Sequence, residues 1–433
     1  MSKQFPKRII RNAALCGVLA STVALPFTAF AQSDEGGFLM TLRLAERLIS
    51  RDSSGPDTST TNGVTNQAIS DVSLRVSSET RTETLNFELG GGYRFVDGPS
   101  TDGINGEFTD PTLRLSYAQD AAASAISVSL FASRTDLDNT STLNLARTAD
   151  GTLDPDFADL TQDGGNRNRL RFDGTLSLRD DAPFGLTFGL QVDDISYDNL
   201  ADTSTLTDYT YGRISAKARF DITEVMQANA GVHFSQTAGA DTYDRYGIDA
   251  GLILTQPNGQ ITVDAAATDG DDGSQLHLSA ARSFTLEDTT ARFGLGLSRA
   301  STDDVFVTGT ASFKHTFADD SPWGNFTASA DRTLTREGRD DEDLVTSLSV
   351  ATNYALTPVA NLRLSAGFAR SEDVATGDTV DLSQANLSMT YALTPDWTAS
   401  AGIGMQSRDP SDETATESTS LSLGLARTFD LRR

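Results

Sequence analysis

The sequence predicts an all-β protein: a transmembrane antiparallel up-and-down β-barrel of about 20 strands, within a range of about 18–22. Three observations predict it. Apolar residues recur at every second position from one end of the chain to the other, as on a strand with one apolar face. The segments so patterned run to about 9–14 residues, against about 5–6 for an ordinary strand and about 9–11 for a tilted membrane strand. The connections alternate between tight turns and long polar loops.

The strands read, in order, near 38–49, 68–78, 83–95, 107–117, 123–132, 167–178, 184–197, 208–220, 225–235 and 242–254. They continue near 260–268, 274–284, 289–299, 304–317, 323–333, 343–355, 360–370, 380–391, 396–407 and 416–429. Leu362, Leu364, Ala366 and Phe368 alternate with Asn361, Arg363, Ser365 and Gly367, and Leu421, Leu423 and Leu425 repeat the pattern near the end. Tight turns fall at Asp180-Asp181-Ala182-Pro183, Asp221-Ile222-Thr223-Glu224, Gln256-Pro257-Asn258-Gly259 and 318–322. Between them lie longer polar loops at 50–67, 96–106, 133–166, 198–207, 236–241, 334–342, 371–379 and 408–415.

Residues 1–31 read as a cleaved secretory signal peptide. Lys3, Lys7, Arg8 and Arg11 form a basic start, Ala13 to Phe27 an apolar stretch, and Ala29-Phe30-Ala31 a small-residue cleavage site. Cys16 follows Leu15 where a lipoprotein box wants a small residue, so lipidation is not expected. Residues 32–433 then form one barrel domain without cysteine. Removing those four bases from the 34 leaves 30 against 60 acids. Such a charge repels phosphate and argues against nucleic acid as a partner. One Cys and three His leave little supply for a metal centre, and no cofactor is expected. No later segment is apolar enough for a spanning helix; Val345 to Leu362, the longest uncharged stretch, alternates and contains Pro358. An exported chain that crosses a membrane without helices must do so as a closed barrel.

Aromatic residues end descending strands at Tyr117, Phe220, Phe284, Phe317, Tyr354, Tyr391 and finally Phe429. Aromatic rings favour the membrane–water boundary. The tract Tyr-Ala-Leu-Thr-Pro occurs twice, at 354–358 and 391–395, one hairpin apart. A soluble β-solenoid would need a repeat of fixed length, which the chain lacks.

On these features the chain resembles bacterial outer-membrane β-barrel proteins. Leu42-Arg-Leu-Ala-Glu-Arg-Leu48 and the Tyr-Ala-Leu-Thr-Pro hairpins are similar to the β-barrel porin type-two group. The resemblance implies periplasmic turns, extracellular loops, and contact with outer-membrane lipid and lipopolysaccharide. Ser420 to Phe429 resembles the signal read by the barrel-assembly machinery, although Asp430-Leu-Arg-Arg433 follows the aromatic. The type-two resemblance also implies exopolysaccharide-export partners. Six residues, Gln32 to Gly37, precede Phe38 after the expected cleavage site, too few for the plug of a siderophore-type receptor.

If the apolar parity faces lipid, the other faces the lumen, which places Arg43, Arg75, Arg114, Arg169, Arg171, Arg213 and Lys217 on an internal basic wall. The longest loop, 133–166, carries Asp136, Asp138, Asp150, Asp154, Asp156, Asp159 and Asp163. In general diffusion porins the third loop folds inward, and that resemblance implies an acidic constriction facing the basic wall. The plainer readings are arginines paired with acids such as Glu88 or Asp173, and an acidic loop facing the medium. No catalytic set emerges. Asp269-Gly-Asp-Asp-Gly273 lacks the bidentate Glu of a calcium loop, and the pairs His233/Ser235 and His277/Ser279 lack a third partner. His315 belongs at the lipid boundary beside Phe317.

The expected function is a porin-like channel in the outer membrane for passive passage of small solutes or polysaccharide, and not an enzyme. The alternative is a barrel without transport, serving adhesion or envelope organisation.

Overall fold

The computed structural model describes residues 37–54, 63–98, 105–138, 160, 164–200, 204, 206–239, 242–271, 273–318, 321–335, 342–411 and 414–432. The signal-peptide reading (1–31) and the segment ahead of the first strand lie outside these residues.

Twenty strands account for almost all of it. They are β1 (Gly37–Ser54), β2 (Gly63–Glu79), β3 (Glu83–Asp97), β4 (Asn105–Ala121), β5 (Ser124–Asp136), β6 (Asn166–Leu178) and β7 (Phe184–Asp198). Next come β8 (Tyr209–Thr223), β9 (Met226–Ala238), β10 (Thr242–Gln256), β11 (Gly259–Gly270), β12 (Gln275–Thr285), β13 (Thr289–Arg299) and β14 (Val305–Thr316). The last six are β15 (Trp323–Thr335), β16 (Asp343–Thr357), β17 (Ala360–Asp373), β18 (Thr379–Ala392), β19 (Trp397–Pro410) and β20 (Thr416–Arg432). Each pairs antiparallel with its sequence neighbours, and β1 pairs with both β2 and β20. The sheet therefore closes and leaves no edge, as a lipid-exposed sheet requires. This is a closed 20-stranded antiparallel barrel.

The register fixes its dimensions. From Thr41 on β1, directly facing residues run through Arg75, Glu88, Arg114, Phe131, Arg171, Asp193, Tyr211 and Thr237 to Tyr243 on β10. Ten residues lower on β10, Ile253 leads through Thr262, Ala281, Gly294, Thr310, Asp331, Ser347, Ala369, Leu382 and Arg408 to Thr416. Glu417 faces Ser54, so Thr416 stands opposite position 55, fourteen residues above Thr41. The stagger around the barrel is thus about 24 residues, fourteen plus the ten dropped. With about 3.3 Å rise and about 4.8 Å between strands, that stagger implies a tilt near 40° and a backbone radius of roughly 19–20 Å.

Parity separates the two faces. Leu44, Val72, Leu89, Ile214, Val232, Ile248, Leu278, Leu364 and Leu423 are exposed, and Leu295 reaches 73%. The most buried polar groups, Arg94, Asp193, Ser235, Thr237, Arg245 and Arg408, sit on the opposite parity in their strands. Crowding belongs to the concave face, so the polar parity lines the lumen. On β3 the outward run Leu85, Phe87, Leu89, Gly91, Tyr93, Phe95 covers ten residue steps. At about 3.3 Å per residue and this tilt it spans about 25 Å, the height of an outer-membrane apolar band.

On one rim the connections have two to six residues; on the other they range from three (β9–β10) and four (β11–β12) to the 29 of 137–165, so the expected alternation of tight turns with long loops holds only in part, because the strands extend into segments such as 236–241. Between β10 and β11 the chain reverses through Pro257 and Asn258 into Gly259, whose φ is +136° and whose missing Cβ would meet the Ser283 carbonyl at 2.0 Å. Aromatic rings line this rim outside: Phe184 against Phe220 at 5.2 Å, His315 against Phe317 at 4.6 Å, and Trp323 against Tyr354 at 4.9 Å. Arg427 stacks on Phe429 at 4.4 Å and on Trp397 at 5.3 Å. Trp323 and Phe184 begin strands, so a rule based on strand ends misses them.

The strands run longer than the alternation suggested, 11–18 residues rather than 9–14. The extra residues lie at the long-loop rim, where polar cross-strand pairs replace apolar alternation and carry the ladder onward. Arg94 with Glu107, Asn168 with Asp198, and Arg370 with Asp381 are such pairs. Loop 133–166 shrinks accordingly to 137–165, and Asp136 is the last residue of β5, not a loop residue.

Candidate functional site: the lumen wall

The lumen wall differs from side to side. From β1 to β10 its inward positions hold Arg43, Arg47, Arg75, Arg114, Arg169, Arg171, Arg213, Lys217 and Arg245, all on the parity opposite the lipid-facing residues. From β11 to β20 they are mostly Ser, Thr, Asn, Gly and Ala, with Arg292, Lys314 and Arg363 near the short-turn rim and Asp264 and Asp331 among them.

Every residue of the predicted basic wall is on the inner face, but they are not equivalent. Arg75 reaches Glu88 at 2.9 Å, Arg171 reaches Asp173 at 2.9 Å, and Lys217 lies 3.5 Å from Asp249. Arg169 binds Asp193 through Nε at 2.9 Å and through a second guanidinium nitrogen. These pairs neutralise one another, between strands or, for Arg171 and Asp173, along β6, and contribute little net field. Arg43, Arg114 and Arg213 have no acidic partner among the described residues. Arg114 lies over the ring of Phe131 at 4.9 Å, an inward aromatic on the next strand. Arg47, which the sequence reading left out, bonds Asp71 at 3.1 Å. Its signal was available, since it shares the parity of Arg43.

At the long-loop rim Arg94, 2% exposed, bonds both Glu107 and Asp136. Asp136 in turn accepts the Asp138 amide at 2.9 Å, and its own amide donates to Asp110 at 3.2 Å. Asp110 adopts φ +47° at a bulge between Gly90 and Gly92 of the facing strand, and this bulge turns its carboxylate toward β5. Asp138 also accepts the Gly165 amide at 3.1 Å, tying the two ends of the loop together. Leu160, 1% exposed, packs with Leu137 and Leu206, and Tyr197 and Leu200 flank them. Tyr197 shares the lumen parity of β7, so this cluster anchors the loop to the inner rim at that point. Asp150, Asp154, Asp156, Asp159 and Asp163 lie outside the described residues.

The histidines form no catalytic set. His277 Nδ1 contacts Ser298 Oγ at 2.8 Å on the neighbouring strand, not Ser279. His233 faces the lumen over Gly247. His315 contacts Thr289 Oγ1 at 2.8 Å on the outer face. Among the described residues no group of three or more His, Cys, Asp or Glu is placed to hold a metal ion.

No family profile and no curated protein matches the sequence. Solved structures do. The siderophore receptor PirA of Acinetobacter baumannii aligns over 92% of this chain and 81% of its own at 10% identity, with a TM-score of 0.51. Pseudomonas aeruginosa OccK7 (OpdD) aligns over 92% of this chain and all of its own at 11% identity, TM-score 0.42. The same organism's OpdK, solved with vanillate, aligns over 91% and 100% at 14% identity, TM-score 0.41. At such identities the likeness is one of fold, that of a bacterial outer-membrane β-barrel.

Proposed function

We propose that the chain is a passive outer-membrane channel for small solutes that favours anions. The observation that carries this reading is the lumen itself: a wall of roughly 19 Å radius lined by polar side chains, with Arg43, Arg114 and Arg213 lacking acidic partners among the described residues on one side. Barrels of 16–18 strands already leave an aqueous lumen, and this one has 20. Most of the paired arginines tie neighbouring strands together; the three others, with Arg292, Lys314 and Arg363 near the short-turn rim and Asp264 and Asp331 on the opposite wall, set the potential that a passing ion meets. Solutes move down their gradients.

The test is single-channel recording from refolded residues 32–433 in a planar bilayer. Stepwise openings whose reversal potential shows anion preference support the reading. A folded barrel that never conducts overturns it in favour of an envelope-organising protein closed at its rim, for which the Leu137–Leu160–Leu206 anchor is the observation to pursue.

A further inference from the structure

The lipid-facing surface carries one side chain at odds with lipid. Glu46 of β1 points outward, on the same parity as Leu44 and Leu48, which are 41% and 59% exposed. It faces Ser70 of β2 on one side and Leu425 of β20 on the other. Its carboxylate accepts the Ser70 hydroxyl at 2.7 Å, its one hydrogen bond among the described residues. A carboxylate has about four sites for such bonds, so most of its capacity is unused.

Its depth follows from the strand lattice. At a tilt near 40°, one residue up a strand gains about 2.5 Å of height, and one strand along a facing row gains about 3 Å. Leu42 faces Phe429 of the aromatic rim and Glu46 lies four residues above Leu42, so Glu46 stands about 13 Å above Phe429. On the other side Ser70 faces Tyr93, and Phe95, two residues further up, is about 11 Å higher than Glu46. The carboxylate is at the middle of the apolar band. Among the described residues, the nearest other acids and bases on lipid-facing positions of the regular ladder lie toward its edges. Arg282 and Arg427 are below, and Arg134, Asp194 and Arg332 above, each about 7–8 Å away in height.

An ionisable group at that depth is costly and is kept where it meets a partner. Acyl chains offer none. A second copy does, because the aromatic rims hold every copy at one depth and so bring Glu46 level with the same residue of its neighbour. Two carboxyl groups that share a proton bond each other while each keeps its own Ser70 hydroxyl. The surface around them is apolar, with Val72 on β2 and Leu423 on β20 about half exposed. We propose that β20, β1 and β2 form the contact face of a two-fold dimer in the membrane, centred on Glu46, each copy completing the other's polar pair. A lone copy holds the carboxylate in hydrocarbon at a cost, and association relieves it. The contact is independent of conduction along the lumen.

The experiment counts subunits of residues 32–433 in lipid vesicles by photobleaching of a dye at Asp181→Cys, in the exposed β6–β7 turn. Two-step bleaching is expected to predominate as protein is concentrated in the lipid. Glu46→Leu should dissociate about tenfold more readily, the scale of one polar contact between membrane segments. Glu46→Gln, whose amide can bond its own copy, should stay within about threefold of the parent. Contact is checked by cross-linking. Ala68, two residues above Ser70, stands directly over Glu46, because the sideways shifts of those two moves cancel at this tilt. Ala68→Cys should therefore join two copies through a short bifunctional thiol reagent, and Ala250→Cys, lipid-facing on the far side in β10, should not. Single-step bleaching at every protein-to-lipid ratio would overturn the proposal, as would a trimer or equal cross-linking at the two sites. So would Glu46→Leu dissociating like the parent, or Glu46→Gln dissociating like Glu46→Leu. A dimer that does not conduct would count against the channel reading alone.

Discussion

Replacing Arg43, Arg114 and Arg213 together by Gln should erase most of the lumen's preference for anions, and the size of the effect follows from the geometry. The backbone radius is roughly 19 Å and an arginine reaches about 6 Å inward, so each charge lies about 13 Å from the axis. In water at that distance a unit charge contributes about 0.3 kcal/mol before screening. Screening over a Debye length of about 10 Å at 0.1 M leaves about 0.09 kcal/mol each, and about 30 Å at 0.01 M leaves about 0.2 kcal/mol. Three such charges favour an anion over a cation on the axis by about 2.4-fold at 0.1 M and about 8-fold at 0.01 M. The assay is the reversal potential under a salt gradient, at both mean concentrations, for the parent and the triple variant. The permeability ratio should fall by those factors, with the larger change at low salt. An unchanged ratio at 0.01 M would refute the assignment of the field to these three groups, since screening is weakest there. As a control, Arg75→Gln/Glu88→Gln should leave the ratio alone, because that pair is neutral as a unit.

Other consequences can be checked separately. Arg94→Ala strands Asp136 in a buried setting and should cost about 2–4 kcal/mol, lowering the temperature at which the folded band disappears on a semi-native gel. Arg75→Ala should cost less than about 1 kcal/mol in urea unfolding, because its partner Glu88 and its own side chain are 37% and 66% exposed. Glu46 sits on the lipid-facing parity of β1, where its carboxylate accepts the Ser70 hydroxyl at 2.7 Å. Glu46→Leu should therefore raise the urea midpoint, by the equivalent of about 1–2 kcal/mol. Arg427→Gln removes two ring contacts on the outer rim and should destabilise by about 1 kcal/mol, while Arg427→Lys should recover part of it.

Much of the barrel is legible in the sequence because lipid imposes one rule on every strand. Leu362 to Phe368 and Leu421 to Leu425 must alternate, since one face meets hydrocarbon and the other meets polar side chains. The same parity that identifies Leu44 as outward puts Arg43 inward, so the facing of the basic wall follows without coordinates. Partners do not follow. Arg114 and Arg171 look alike in sequence and both stand opposite Phe131, yet one lies over its ring and the other turns to Asp173, two residues along its own strand. Strand ends are hidden for a related reason. Beyond the apolar band Arg94 and Glu107 extend the ladder as effectively as leucines do, but no periodicity announces them.

Register also accounts for the division of labour around the barrel. A stagger of about 24 residues over 20 strands tilts each row of facing residues upward, so a single row passes from the short-turn rim to the mouth. In the row through Arg75, Glu88, Arg114, Phe131, Arg171 and Asp193, Glu88 stands between two arginines and bonds Arg75, which leaves Arg114 over the Phe131 ring on its other side. The neighbouring row, shifted by two residues, carries Arg43 against Ser73, Gly90 and Thr112, small groups that cannot neutralise it. Paired and unpaired arginines are thus set by the same ladder, two residues apart. A substitution that places an acid at Ser73 should convert Arg43 from the second kind to the first. Ser73→Asp is therefore expected to reduce anion preference about as much as removing Arg43 and to raise stability by less than about 1 kcal/mol, and Arg43→Gln in that background should leave an excess acid and tip the ratio toward cations. An anion preference left unchanged by Ser73→Asp would mean that position 73 does not stand beside Arg43 on the inner face, contradicting the register itself.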